Sequence, residues 1–187
     1  MTAPTIVLPG VGQRVAPERR RTRTIEIACG TGTGPNTLAA FDGALRATGI
    51  ANFNLLRLSS VIPPYTDIAP MEGPVSPIQG EWGDRLYVVM AEQRVTEPGA
   101  EAWAGIGWVQ DEESGKGLFV EHEGHAEEEV RGDILDSLGA LVAGRPDTFG
   151  EPQFVLHGAV CDGTPTCALA VAVYETASWS IDLTGRR

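Results

Sequence analysis

The sequence predicts an α+β fold, with sheets inside and helices outside, on three observations. About seven strand-like runs accompany only two helical stretches, a count that fits a layered sandwich. No internal repeat divides the chain. At 187 residues the chain suits one domain, large enough to bury roughly two-thirds of its unfolded surface.

Each element has a local signature. Ile25-Glu26-Ile27-Ala28-Cys29 alternates as a first strand, and Gly30-Thr31-Gly32-Thr33-Gly34-Pro35 reads as a turn into a helix. That repeat lacks both the third glycine spacing of a dinucleotide fingerprint and the Lys-Ser/Thr of a P-loop, so it does not indicate a phosphate cradle. Asn36 or Thr37 caps a helix over 38–48, which Gly49 stops. Within 52–59 the apolar run from Phe53 to Leu58 reads as a strand. Five prolines (Pro63, Pro64, Pro70, Pro74 and Pro77) mark 61–84 as a long ordered loop. Strands follow at 86–91, 102–109 and 118–123, the last two joined by a hairpin-like turn at 111–116. The second helix covers 126–142, with Glu127, Glu128 and Glu129 at the positive end of its dipole and Val130, Ile134, Leu138 and Leu141 as its buried stripe. Runs at 154–161 and 168–174 complete the strands, the latter rich in Ala and Val as inside a packed sheet.

Composition narrows the function classes. The formal charge is −11, but Arg14, Arg19, Arg20, Arg21 and Arg23 against Glu18 put the first 23 residues at +4 and the remainder at −15. An acidic body argues against nucleic acid, which needs clustered cations, and mildly favours a cationic ligand. The basic arm of residues 1–23 reads as a flexible, solvated segment preceding a domain over 24–187. No apolar run has membrane-spanning length and no signal-type segment follows Met1, so a soluble, cytoplasmic protein without a membrane partner is expected. Cys29, Cys161 and Cys167 lack metal-ligand spacing and read as reduced core thiols.

Three sites invite chemistry. Ser59-Ser60 ends the 53–58 run, and the stiff Ile62-Pro63-Pro64 exit limits how the backbone there can relax. In a strained Ser-Ser peptide, Ser60 Oγ can attack the Ser59 carbonyl. Most such pairs are only strand ends with solvated hydroxyls. Asp42 shares a stripe with Leu38 and Leu45 at i, i+4 and i+7, so it needs a partner: an intrachain cation such as Arg57, an exposed rim, or a ligand cation. In Glu121-His122-Glu123-Gly124-His125, alternation sets both glutamates on one face and His122 on the other. Metal is not expected, because the helix-borne His-Glu-x-x-His motif and a third ligand cluster are missing. Burial at the end of an apolar strand would instead raise a carboxyl pKa and suit it to deliver a proton.

These motifs carry a resemblance. Ala40-Phe41-Asp42-Gly43-Ala44-Leu45, then Gly49-Ile50, Asn52-Phe53-Asn54-Leu55 and Ser59-Ser60-Val61-Ile62-Pro63, resemble the signature of the pyruvoyl-dependent arginine decarboxylases, and Glu121-His122-Glu123-Gly124 resembles that family's E-x-E-G strand end. Similarity over about 24–177 implies a four-layer αββα sandwich, self-cleaved between Ser59 and Ser60 into 1–59 and 60–187. Ser60 would become the covalent pyruvoyl cofactor. The resemblance implies that arginine is decarboxylated to agmatine, a reaction of polyamine biosynthesis or acid resistance. It makes Glu121 the proton donor, leaves Glu123 structural, gives Asp42 the guanidinium, and puts Leu45, Ala51 and Phe53 along the substrate pocket. It sets Asn54 near the pyruvoyl group, although a strand-edge amide bonded to backbone reads equally well from the residues. The family precedent is a homo-oligomer, a trimer with sites at subunit boundaries. Ala51 and Phe53 stand where Gly and a smaller residue are common, which would narrow the pocket. Two alternatives stay open: a pyruvoyl decarboxylase for another amino acid, and an uncleaved binding or assembly protein.

Overall fold

In a computed structural model the chain is described over residues 23–179, so the arm expectation for the first 22 residues lies outside the described part. The order is β1 (Arg23–Thr33), α1 (Thr37–Thr48), β2 (Asn54–Arg57), β3 (Val61–Ile62), β4 (Thr66–Pro70), β5 (Arg85–Val95), β6 (Glu101–Gln110), β7 (Gly117–Gly124), α2 (Glu127–Ala143), β8 (Gln153–Val160) and β9 (Thr166–Ala177). Among the described residues the fold is mixed α+β with two sheets and two helices. One sheet has the order β2-β5-β9-β1-β4 and the other β3-β7-β6-β8.

Period-two alternation builds the layers. On β1, β5 and β9, Ile25, Ile27, Val89, Ala91, Ala168, Ala170 and Ala172 face Ala104, Ile106, Trp108 and Phe119 of the second sheet. Their neighbours Ala28, Val88, Met90, Leu169 and Val171 point the other way, onto Ala40 and Ala44 of α1. Val130, Ile134 and Leu138 of α2 cover the far face of the second sheet. The stacking α1, sheet, sheet, α2 is compatible with the expected sandwich. Because β1, β5 and β9 are covered on both faces, they read as nearly continuous apolar runs.

Several boundaries differ from the sequence reading. Gly30 to Thr33 is not a turn but the second half of β1. A Cβ on Gly32 would lie 2.3 Å from both Ala40 O and Ala44 N, so these glycines let α1 lie directly on the strand. Gly107 does the same under α2, where a Cβ would sit 2.3 Å from Ile134. The proline-rich loop contains two short strands, β3 and β4, and raises the strand count to nine. β2 ends at Arg57 rather than Ser59. Asn36 is the helix cap, its side chain accepting the Ala39 N–H at 2.9 Å, and Gly49 closes α1 at φ 85°. Leu141 departs from the expected buried stripe of α2 and is exposed. Cys29, Cys161 and Cys167 are free thiols; burial pushes Cys29 up to about 11, and burial foremost does the same for Cys167.

Candidate active site

β2 and β3 are edge strands of different sheets, so the chain must step between sheets from Arg57 to Val61. Leu58 N–H still donates to Val88 O of the first sheet at 2.9 Å. Two residues later the Ser60 carbonyl accepts from Phe119 N–H of β7 at 2.8 Å, on the second sheet. The Ser59–Ser60 peptide therefore bridges the open edge of the two sheets. Ser60 takes φ 65°, one of two non-glycine residues at positive φ among those described. Such a backbone costs about 1–3 kcal/mol and persists only where surrounding contacts impose it.

Those contacts are specific. Ser60 Oγ donates to the Glu121 carboxylate, 2.7 Å from Oε1 and 2.8 Å from Oε2. One residue on, the Val61 carbonyl accepts from the Tyr174 hydroxyl at 3.0 Å. The Tyr174 ring meets Phe119 edge-on, 6.3 Å between centroids at 70°. Burial, with the Glu121 charge adding to it, holds the Tyr174 phenol well above its ordinary range, while Arg23 opposes the rise. Tyr174 is thus a neutral donor at any physiological pH. An open depression of about 420 Å³ lies alongside, lined by Ser60, Phe119, Glu121, His122, Ser137 and Leu141 among others.

The two histidines of this motif have other hydrogen-bond partners. His122 points to α2, its Nε2 2.8 Å from Ser137 Oγ, and His125 Nδ1 lies 3.1 Å from Glu101 O. Glu123 is exposed. A separate cavity of about 440 Å³, bordered by Tyr65, Asp67, Trp108, Asp111 and Glu151, contains none of the residues singled out in the sequence.

The second predicted group gathers around α1 and the start of β2. Asp42 is 54% exposed and pairs with Arg46, Oδ2 to Nε 3.2 Å. Arg57, the intrachain cation named as one alternative for it, instead lies 3.6 Å from Glu92. Leu45 and Phe53 pack into the layer between α1 and the five-stranded sheet, and Ala51 is half-buried beside them. Asn54 is exposed, with its amide donating to Gly83 O. None of these five lines the depression at Ser60.

Comparison with known proteins covers both groups at once. The profile of the pyruvoyl-dependent arginine decarboxylase family matches residues 24–178. A pyruvoyl-dependent arginine decarboxylase of Halobacterium salinarum is 32% identical over 155 residues, which is 80% of this chain and 92% of its own length. One from Thermoplasma volcanium is 31% identical over 130 residues, 68% of this chain and 69% of the relative. A Methanococcus vannielii enzyme of the same description is 50% identical over 48 residues, 26% of this chain and 29% of its own.

The chain belongs to the pyruvoyl-dependent arginine decarboxylase family.

Members of the pyruvoyl-dependent arginine decarboxylase family are enzymes with a covalent pyruvoyl cofactor, and the setting of Ser60 fits one. Its side chain is a hydroxyl held by a carboxylate, its carbonyl already has a backbone donor, and a depression opens beside both. Two parts of this setting escaped the sequence reading. Tyr174 lies within β9 just past its Ala/Val-rich part, 114 positions from Ser60 in the chain, and nothing local marks it. The donor from Phe119 is a main-chain group, and only the pairing of β3 with β7 brings it to Ser60.

Proposed function

We propose that this chain cleaves itself between Ser59 and Ser60 and then decarboxylates L-arginine to agmatine and CO2. The observation that carries the reading is Ser60: its hydroxyl rests on both oxygens of Glu121 while its backbone is held in the left-handed region. Glu121 takes the hydroxyl proton as Ser60 Oγ attacks the Ser59 carbonyl carbon, and the peptide C–N bond breaks to leave an ester and a free Ser60 amine. Loss of the Ser60 Cα proton then expels the Ser59 carboxylate. The resulting dehydroalanine takes up one water and releases one ammonia, which leaves fragments 1–59 and 60–187, the second capped by a ketone.

The pyruvoyl group supplies a ketone for the substrate amine and an adjoining carbonyl that draws off the electrons left as CO2 departs. Glu121, at the same atom position, delivers the proton to the substrate carbon. Phe119 N–H holds the carbonyl of residue 60 in place. Asp42 receives the guanidinium, with Leu45, Ala51 and Phe53 lining the stem and Asn54 beside the reacting end. Asp42 is not among the residues that line the depression at Ser60, which supports a site completed by a second copy in a homo-oligomer, with a trimer as the proposed form.

Intact-mass measurement under denaturing conditions tests the first step. Wild-type protein gives two fragments, one reactive to a carbonyl-directed hydrazide, whereas Ser60→Ala stays whole. Asp42→Ala is cut normally but loses at least about tenfold in kcat/KM for arginine, as expected for removal of one charge-assisted contact. A single uncut wild-type chain, or a cleaved Ser60→Ala, would contradict the reading. Comparing CO2 release from arginine, lysine, ornithine and aspartate tests the substrate.

A further inference from the structure

The segment on the C-terminal side of the scissile bond is held at two successive carbonyls. Ser60 O accepts from Phe119 N–H at 2.8 Å, and Val61 O accepts from Tyr174 O–H at 3.0 Å. The Phe119 ring and the Tyr174 ring touch edge to face, so both donors belong to one packed unit on the wall between the sheets. The Phe119 bond extends the β3–β7 ladder, in which Val61 faces Leu118 and Ile62 faces Gly117. β3 has only these two paired residues, and a ladder so short gives little restraint by itself. Tyr174 reaches it from β9 of the other sheet and ties it down.

We propose that Tyr174 is a positioning residue for self-processing, holding the Val61 carbonyl so that the Ser60 carbonyl stays on the Phe119 N–H while the Ser60 Cα proton is lost. This rests on the proposed role of Ser60 as the pyruvoyl precursor. When the Cα–H bond breaks, its electron pair delocalises onto the Ser60 carbonyl oxygen before it expels the Ser59 carboxylate. A donor already pointed at that oxygen stabilises the charge as it develops, at no reorganisation cost. The ester has a competing fate, since water can attack its carbonyl carbon. Hydrolysis returns the Ser59 carboxylic acid and a fragment 60–187 that begins with serine. Elimination yields the ketone-capped fragment, lighter by one ammonia. A loosened Val61 carbonyl lets the Ser60 carbonyl swing off its donor, slows elimination and leaves hydrolysis untouched. Tyr174 stays protonated beside Glu121, so it donates throughout.

Tyr174→Phe removes the hydroxyl and keeps the ring against Phe119. The time course of cleavage and the mass of the 60–187 fragment are followed for wild type and variant, with hydrazide labelling of the ketone. Thermal melts of Tyr174→Phe in the uncleavable Ser60→Ala background report any loss of fold separately. The expected result is ketone formation about tenfold slower, the effect of one well-placed hydrogen bond, with part of the fragment beginning in serine and resistant to hydrazide. A purely structural tyrosine would slow cleavage without changing which end the fragment carries. Wild type and Tyr174→Phe cut at equal rates, both fully ketone-capped, overturn this inference and leave the decarboxylase reading standing. Wild type that remains uncut overturns both. Should Tyr174→Phe fail to fold, 3-fluorotyrosine at position 174 keeps shape and donor, and it must process at least as fast as wild type; slower processing counts against the proposal.

Discussion

Glu121 holds Ser60 with both of its oxygens within hydrogen-bond distance of one hydroxyl. The same carboxylate is proposed to accept a proton during processing and to return one to the substrate carbon afterwards. Both roles are tested by Glu121→Gln, whose amide can hold the hydroxyl but cannot exchange the proton. Single-turnover decarboxylation by the cleaved fraction of that variant is expected to fall by about 10²–10⁴, the usual worth of a placed acid or base; a fall below tenfold would assign the proton to another group. These candidates stand out in the sequence because each lies in a short motif: Ser59-Ser60 before Val-Ile-Pro-Pro, Asp42 in Phe-Asp-Gly-Ala-Leu, Glu121 at a strand end. Their partners stand out less. Asp42 pairs with Arg46 one turn along its own helix, where an i,i+4 match was available, rather than with Arg57.

At the scale of elements, each helix lies over a Gly-x-Gly in the middle of its sheet, Gly30-Thr31-Gly32 under α1 and Gly105-Ile106-Gly107 under α2. The first triplet resembles a turn because glycine breaks strands in isolation, and it proves to be a landing surface because a helix needs close approach. Gly32→Ala forces a Cβ against helix backbone that cannot move aside. It is expected to destabilise by about 3 kcal/mol, the upper end of the overpacking range, and to lower Tm by roughly 6–12 °C. Gly139 on α2 has nothing within 4 Å of the equivalent position, so Gly139→Ala is expected to raise stability by up to about 1 kcal/mol through helix propensity. Denaturant unfolding of the two variants in the Ser60→Ala background, free of processing, checks both signs. Equal effects would refute the packing argument. Strand edges were the weakest part of the sequence reading: β3 and β4 are short and proline-flanked, and carry too few residues for an alternation to register.

Taken as a whole, the molecule keeps its two predicted half-sites apart. Ser60 and Glu121 sit at the open edge where the chain passes between sheets, while Asp42, Leu45 and Phe53 belong to the α1 layer. If a second copy joins them, a chain lacking one half should rescue a chain lacking the other. Expressed alone, the Ser60→Ala chain is expected to be inactive and the Asp42→Ala chain to keep at most about a tenth of wild-type kcat/KM. Together they should recover about a quarter of wild-type arginine turnover, the share of boundaries that pair an intact Asp42 with a processed Ser60 under random assembly. No recovery in co-purified hetero-oligomers would place both halves in one chain.

The sequence by itself determined the family and named the serine and the acids proposed for its chemistry, since those depend on residue types at short spacings that survive in one dimension. It also indicated about seven strands and two helices, because alternation and helical periodicity are local, while their stacking as a sandwich was implied by the resemblance. Only the tertiary structure decided that the Ser-Ser peptide crosses between sheets in a left-handed turn, that the Phe119 amide and Tyr174 hold the carbonyls of Ser60 and Val61, and that the glycine repeat is a helix seat. Each of these depends on contacts between segments far apart in the chain, and sheet pairing, unlike periodicity, leaves no mark on either segment alone.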